Sequence, residues 1–150
     1  DREPITTLAA AGALVDVVPG MPADMYTPAS LPAVDEELVV DAEAAAFLAE
    51  LTAIGYAALV ILCAHFVHDE PVEVQLWPEH FDLATSFAEV NYGLSPGDAG
   101  HPWPYFYLGP WSPPPVGGFW NEPFGASLEV QEVPTVDEVL TFFGTGRGSL

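Results

Sequence analysis

The chain has 150 residues, half of them apolar and 16% charged, which fits one domain with a real core and argues against global disorder. Its 22 acidic residues face only Arg2 and Arg147, with no lysine, for a formal net charge of −20. Two arginines cannot track a phosphate backbone, an anionic membrane would repel the chain, and Schiff-base or phosphate-loop chemistry lacks its lysine.

Ile5 to Val18 is rich in Ala and Leu and predicts a short helix ended by Pro19-Gly20. The prolines between Met21 and Pro32 predict an irregular connection. Leu38-Val39-Val40 predicts a short strand or an extended lead-in. Asp41 is then a good N-cap for a long helix, with Glu43 in the first turn beside the positive end of the dipole. Phe47, Leu51, Ile54, Ala58 and Ile61 or Leu62 form an apolar stripe at helical spacing. Ala45, Ala49, Ala53 and Ala57 occupy the opposite face, so both faces can pack against other elements.

Leu51 to His68 carries no formally charged side chain and just reaches the length of a membrane span. Glu50 and Asp69 flank it and no Lys or Arg marks a cytoplasmic side, so a buried helix of a soluble domain is expected, with no membrane partner. Cys63 lies alone in this apolar run. It predicts a buried structural thiol, no internal disulfide and a reducing, cytoplasmic setting. No signal peptide is visible, and the missing initiator Met predicts a processed chain or a fragment.

After Pro71 the period changes. Val72, Val74 and Leu76 alternate with Glu73 and Gln75, as in a half-buried strand. Phe81 to Asn91 predicts a second element of paired strand, and Tyr105 to Leu108 a third strand closed by Gly109-Pro110. Ser127 to Val133 alternates again, with Leu128 and Val130 on one side. Val136 to Phe143 predicts a terminal helix capped near Thr135, with Asp137 and Glu138 in its first turn and a glycine-rich end that frays. Helices first, antiparallel strands next and one helix last describe a single α+β domain, residues 1–70 mainly helical and 71–150 mainly strand.

Four runs in the second half carry a family resemblance. They are Trp77-Pro78-Glu79-His80-Phe81-Asp82-Leu83, Asn91-Tyr92-Gly93-Leu94-Ser95-Pro96-Gly97-Asp98, Pro104-Tyr105-Phe106-Tyr107-Leu108-Gly109-Pro110-Trp111 and Phe119-Trp120-Asn121-Glu122-Pro123-Phe124-Gly125-Ala126. In them the chain resembles an uncharacterised bacterial family common in actinobacteria. Members are longer at the N-terminus, which implies that this chain is a C-terminal portion. The family is a domain of unknown function, so the resemblance implies no activity and carries over no catalytic residue.

The residues themselves offer three constellations. Gly93-Leu94-Ser95-Pro96-Gly97 fits the spacing of a hydrolase nucleophile elbow. Pro96 has no N–H for an oxyanion hole and no helix can follow, so a Pro-Gly turn between strands is expected instead. His80 and Asp82, two apart, share a strand face, and Asp98 and His101 can fold back over it. Two imidazoles and two carboxylates suit a divalent metal such as zinc, or an acid–base pair; the plainer account is hydrogen bonding within a partly buried turn. His65 and His68, at the end of the long helix, are accounted for by its dipole.

The third constellation is aromatic. Trp77, Trp103, Tyr105, Tyr107, Trp111 and Trp120 crowd together, with Tyr105 and Tyr107 on one strand face and Phe106 on the other. Rings with polar tips line ligand pockets and interfaces, and Asn121 or Glu122 can add hydrogen bonds; the competing account is a core that needs large residues. The expectation is a non-catalytic binding domain with an aromatic, acidic pocket, built from those rings with His80 and Asp82, for a small ligand or a partner protein. A metal-dependent hydrolase using His80, Asp82, Asp98 and His101 is the alternative. A structural subunit of a protein assembly is the third possibility, and the oligomeric state stays open.

Overall fold

The computed structural model describes residues 5–20, 33–78 and 80–150. The predicted irregular connection at 21–32 lies outside them, as does Glu79. Contacts divide the chain into two compact units, Asp1–Ala45 and Ala46–Leu150.

In the first unit, helix α1 spans Leu8–Leu14 and is shorter at both ends than the predicted Ile5–Val18. The Thr7 side chain accepts from the Ala10 N–H at 3.0 Å and sets its start. Beyond Leu14 the chain turns at Asp16, whose φ is +55°, and the Val17 N–H closes back on the Gly12 carbonyl. Leu38–Val40 forms no strand; it runs as extended chain, with the Leu38 N–H donating to Thr6 O at 2.9 Å. Helix α2 follows at Ala42–His65. As expected, Asp41 caps it, Oδ1 accepting from the Glu43 and Ala44 N–H groups at 2.9 and 3.1 Å.

The second unit is a five-stranded antiparallel meander, β1 Gln75–Trp77, β2 Asp82–Phe87, β3 Val90–Ser95, β4 Tyr105–Pro110 and β5 Ala126–Glu129, paired in chain order. Helix α3, Val136–Arg147, closes the chain. The α+β class read from the sequence is the class of the structure. One sheet face, with Leu83, Phe87, Tyr92, Leu94, Phe106 and Leu108, joins Leu51, Ala58, Leu59 and Leu62 of α2 and Val139 and Phe143 of α3 in one core. Phe87 stacks on Tyr92 with centroids 4.6 Å apart, and Phe143 meets Tyr92 edge-on at 5.6 Å.

Only one face of α2 enters that core. Among the described residues, Ala45, Ala49 and Ala53 of the face expected to be able to pack as well are exposed, as are Tyr56, Val60 and Ile61. The helix is long and apolar enough to cross a membrane, with mean hydropathy 2.0, while its Leu51 and Leu59 are wholly buried in the sheet's core. Cys63 is half-buried rather than buried, and its Sγ lies 3.5 Å from Thr85 Oγ1.

Strand boundaries differ from the sequence expectations in four places, one being β4, which runs on through Gly109 and Pro110, the pair expected to close it. β1 starts at Gln75, although the Val72 N–H already donates to Ser86 O, so the expected Val72–Leu76 strand is only approached. Phe81–Asn91 is divided between β2 and β3 by a tight turn in which Ala88 and Glu89 take φ of +48° and +61°. β5 ends at Glu129, short of the expected Val133: the Val130 N–H still donates to Pro104 O, but Pro104 has no N–H to return and the chain bends at Gln131 and Glu132.

Candidate functional site

Antiparallel register decides what the other sheet face carries. Trp77 pairs with Asp82, Gly93 with Tyr107, Asn91 with Gly109, Ser95 with Tyr105 and Tyr107 with Ser127. Since Leu83, Leu94 and Phe106 point into the core, these residues point away from the helices. Three adjoining cavities of about 570, 770 and 560 Å³ lie over this face, and His80 and Asp82 border all three. Volumes of this size are those of small-ligand sites.

Gly93 gives the centre its shape. A Cβ at this position would run into the Tyr107 ring, so the missing side chain lets that ring lie flat across β3 toward β2. The Tyr107 and Ser95 hydroxyls face the Asp82 carboxylate, yet Asp82 Oδ1 is shut off from solvent with no hydrogen-bond partner. Burial raises the Asp82 pKa above its usual value, opposed by Ser95, Tyr107 and the nearby His80, and reinforced by Asp98. Burial, with the Asp82 charge beside it, also pushes the Tyr107 phenol well up. The pair is therefore a desolvated carboxylate held against a phenol that stays protonated.

Rings wall the face. Tyr105, Tyr107 and Phe124 lie 6.1 to 6.5 Å apart, centroid to centroid, and His101 packs on Tyr105 at 4.7 Å. The Trp111 indole N–H donates to Asn91 Oδ1 at 3.1 Å and leaves two-thirds of the residue exposed. Trp77, 47% exposed, stands at the β1 edge, so it is no core residue.

The loop between β3 and β4 is fastened to the segment before β5. Asp98 Oδ1 accepts from the Gly100 and His101 N–H groups at 2.6 and 2.9 Å, which lowers its pKa. His101 Nε2 meets Glu122 Oε1 at 3.1 Å, and the Ser127 hydroxyl donates to the same oxygen at 2.9 Å. The Glu122 pKa is lowered, first by His101 and then by Ser127. Asn121 spends its amide on Ser127, its Oδ1 accepting from the backbone N–H at 2.8 Å. Neither Asn121 nor Glu122 is thus free to serve a ligand as anticipated. Ser95 ends β3 as a buried residue, Gly97 takes a φ of +99° and no helix follows, but the chain returns to β4 through residues 96–104, a longer loop than the expected Pro-Gly turn.

Of the predicted binding residues, Trp77, His80, Asp82, Tyr105, Tyr107 and Trp111 border these cavities. Trp103 sits half-exposed on the β3–β4 loop and borders none of them. Trp120 packs against the core beside Phe119, at 5.3 Å, and corrects the expectation of a pocket ring. Of the metal quartet, His80, Asp82 and Asp98 border one cavity, while His101 turns to Glu122. Among the described residues no three His, Cys, Asp or Glu side chains gather as a metal-ligand set. Asn91 and Phe124 are the members that sequence reasoning missed. Asn91 was legible in principle, since it alternates with Gly93 along β3; Phe124 reaches the face from a turn that no periodicity marks.

Comparisons with known proteins add no relative: no family model, no curated protein and no solved structure matches the chain.

Proposed function

We propose that this chain is a small-molecule-binding domain whose site is the open face of the sheet, centred on Asp82 and Tyr107. The observation that carries it is Asp82: a partly desolvated carboxylate, faced by the Ser95 and Tyr107 hydroxyls, on a residue that borders all three cavities. Burying a carboxylate without a permanent counter-charge is costly, and perturbed groups of this kind concentrate where a ligand or reaction uses them. Exposed rings beside it supply apolar contact area at small entropic cost, as ligand sites do.

A fragment screen followed by protein NMR tests the site. Bound fragments are expected to shift the signals of Asp82, Asn91, Tyr107 and the Trp111 indole together. Fragments that collect instead on the exposed side of α2, or that leave these four signals in place, would sink the reading.

A further inference from the structure

We infer that the ligand of this face is an organic ammonium cation, held by its charge against Asp82 and by its alkyl surface against the rings. The inference rests on the open-face reading and adds the chemical class.

Charge argues first. Asp82 borders all three cavities and is faced by the neutral Ser95 and Tyr107 hydroxyls, and the protein has almost nothing permanently positive to offer it. The chain contains no lysine, and Arg147, the arginine among the described residues, is engaged elsewhere, with Asp69 at 2.7 Å and over the Phe66 and Phe87 rings. His80 is the one basic side chain bordering the same cavities, and an imidazole is charged only when protonated. Asp98 adds negative potential to the site. An anionic ligand would meet repulsion with no counter-charge, and a neutral one would leave the carboxylate without a permanent counter-charge. A cation meets the demand.

Shape and surface argue next for an organic cation over a bare metal ion. The carboxylates and imidazoles do not gather into a ligand set. What borders Asp82 is aromatic: Trp77, Tyr105, Tyr107, Trp111 and, in the largest cavity, Phe124. The faces of such rings attract a diffuse positive charge, and alkylated ammonium groups combine that charge with apolar surface. A cavity of about 570 Å³ or more is also far larger than any metal ion needs.

The test is an NMR titration with choline and with 3,3-dimethylbutan-1-ol, its uncharged isostere, at matched ionic strength and tens of millimolar. Choline is expected to shift Tyr105, Tyr107 and Trp111 and to bind about ten-fold tighter than the isostere. Asp82→Asn should erase that preference. Should this variant not fold, Trp111→Ala, which removes an exposed ring, should weaken choline binding several-fold. Equal binding of both probes at these residues overturns the cation class and keeps the open-face site. Silence of choline there, with neutral fragments still binding, does the same. Silence of both probes and of every fragment overturns the site as well.

Discussion

At the scale of single residues, Asp82 sets ligand binding against stability. Its folded pKa is raised by burial, so its ionised form is less favourable in the folded state than in the unfolded chain. The sign follows: the penalty is full above the raised folded value and is relieved as pH falls toward 3.8, the ordinary value. Asp82→Asn is therefore expected to raise the Tm at neutral pH by a small margin while erasing the preference for a cationic ligand. The gap between the two melting curves should narrow as pH falls through the carboxylate range. Thermal melts of both proteins across pH 3 to 8, roughly the span over which a carboxylate and its neighbours titrate, check this. A variant less stable than the parent at neutral pH would mean that the carboxylate supports the fold, and the site would lose its main argument. Trp77 belongs to the same ledger of side chains kept outside the core. Its 47% exposure is more than a structural tryptophan of a small domain shows.

Elements were legible where local chemistry decides and illegible where packing does. Asp41 and Thr135 announced the starts of α2 and α3, and Thr135 forms a full capping box with Glu138, whose pKa it lowers. The parity of Tyr105 and Tyr107 against Phe106 was legible too, since a strand alternates by geometry alone. The end of α3 was not. Gly144 and Gly146 read as a frayed tail, yet the helix runs to Arg147, because Arg147 is anchored on Asp69 and over the rings of Phe66 and the buried Phe87. Nor was the Ala88-Glu89 turn visible, since it uses positive φ without glycine or asparagine. Trp120 was placed by aromatic density, a property that says nothing about which way a side chain faces.

The two glycines of α3 make a paired prediction with opposite signs. A Cβ at Gly144 meets nothing within 4 Å, so Gly144→Ala should stabilise by about 0.5–1 kcal/mol through helix propensity. A Cβ at Gly146 would approach Phe119 Cε1 to 2.9 Å and press on Leu108. Gly146→Ala should therefore lose about 1–3 kcal/mol to overpacking despite the same propensity gain. Urea denaturation of both variants decides it. Two stabilised variants would show that α3 does not sit closely on β4 and Phe119.

Over the whole molecule, charge is the dominant feature. A net charge of −20 on 150 residues opposes the compact state by self-repulsion, and the few attractive pairs are local. Screening removes long-range repulsion before it weakens contacts at hydrogen-bond distance, since the Debye length is about 10 Å at 0.1 M salt. Sodium chloride is therefore expected to raise the Tm, most steeply below ~0.2 M, and the effect should shrink as pH approaches the isoelectric point of about 4.1. Acid brings its own loss. Asp98, Glu122 and Glu138 have lowered pKa values, so their contributions are complete above 3.8 for the aspartate and 4.5 for the glutamates and vanish as pH falls through the lowered folded values. Stability should thus pass through a maximum on the mildly acidic side, where repulsion has eased and these three carboxylates are still ionised. Melting curves over a grid of pH and chloride concentration test both parts. A Tm that falls with added salt at neutral pH would show that the pairs His101–Glu122 and Arg147–Asp69 outweigh the repulsion of the surface. The acidity would then have to be explained by something other than a tolerated load, and a cationic ligand or partner held outside the core would be the first place to look.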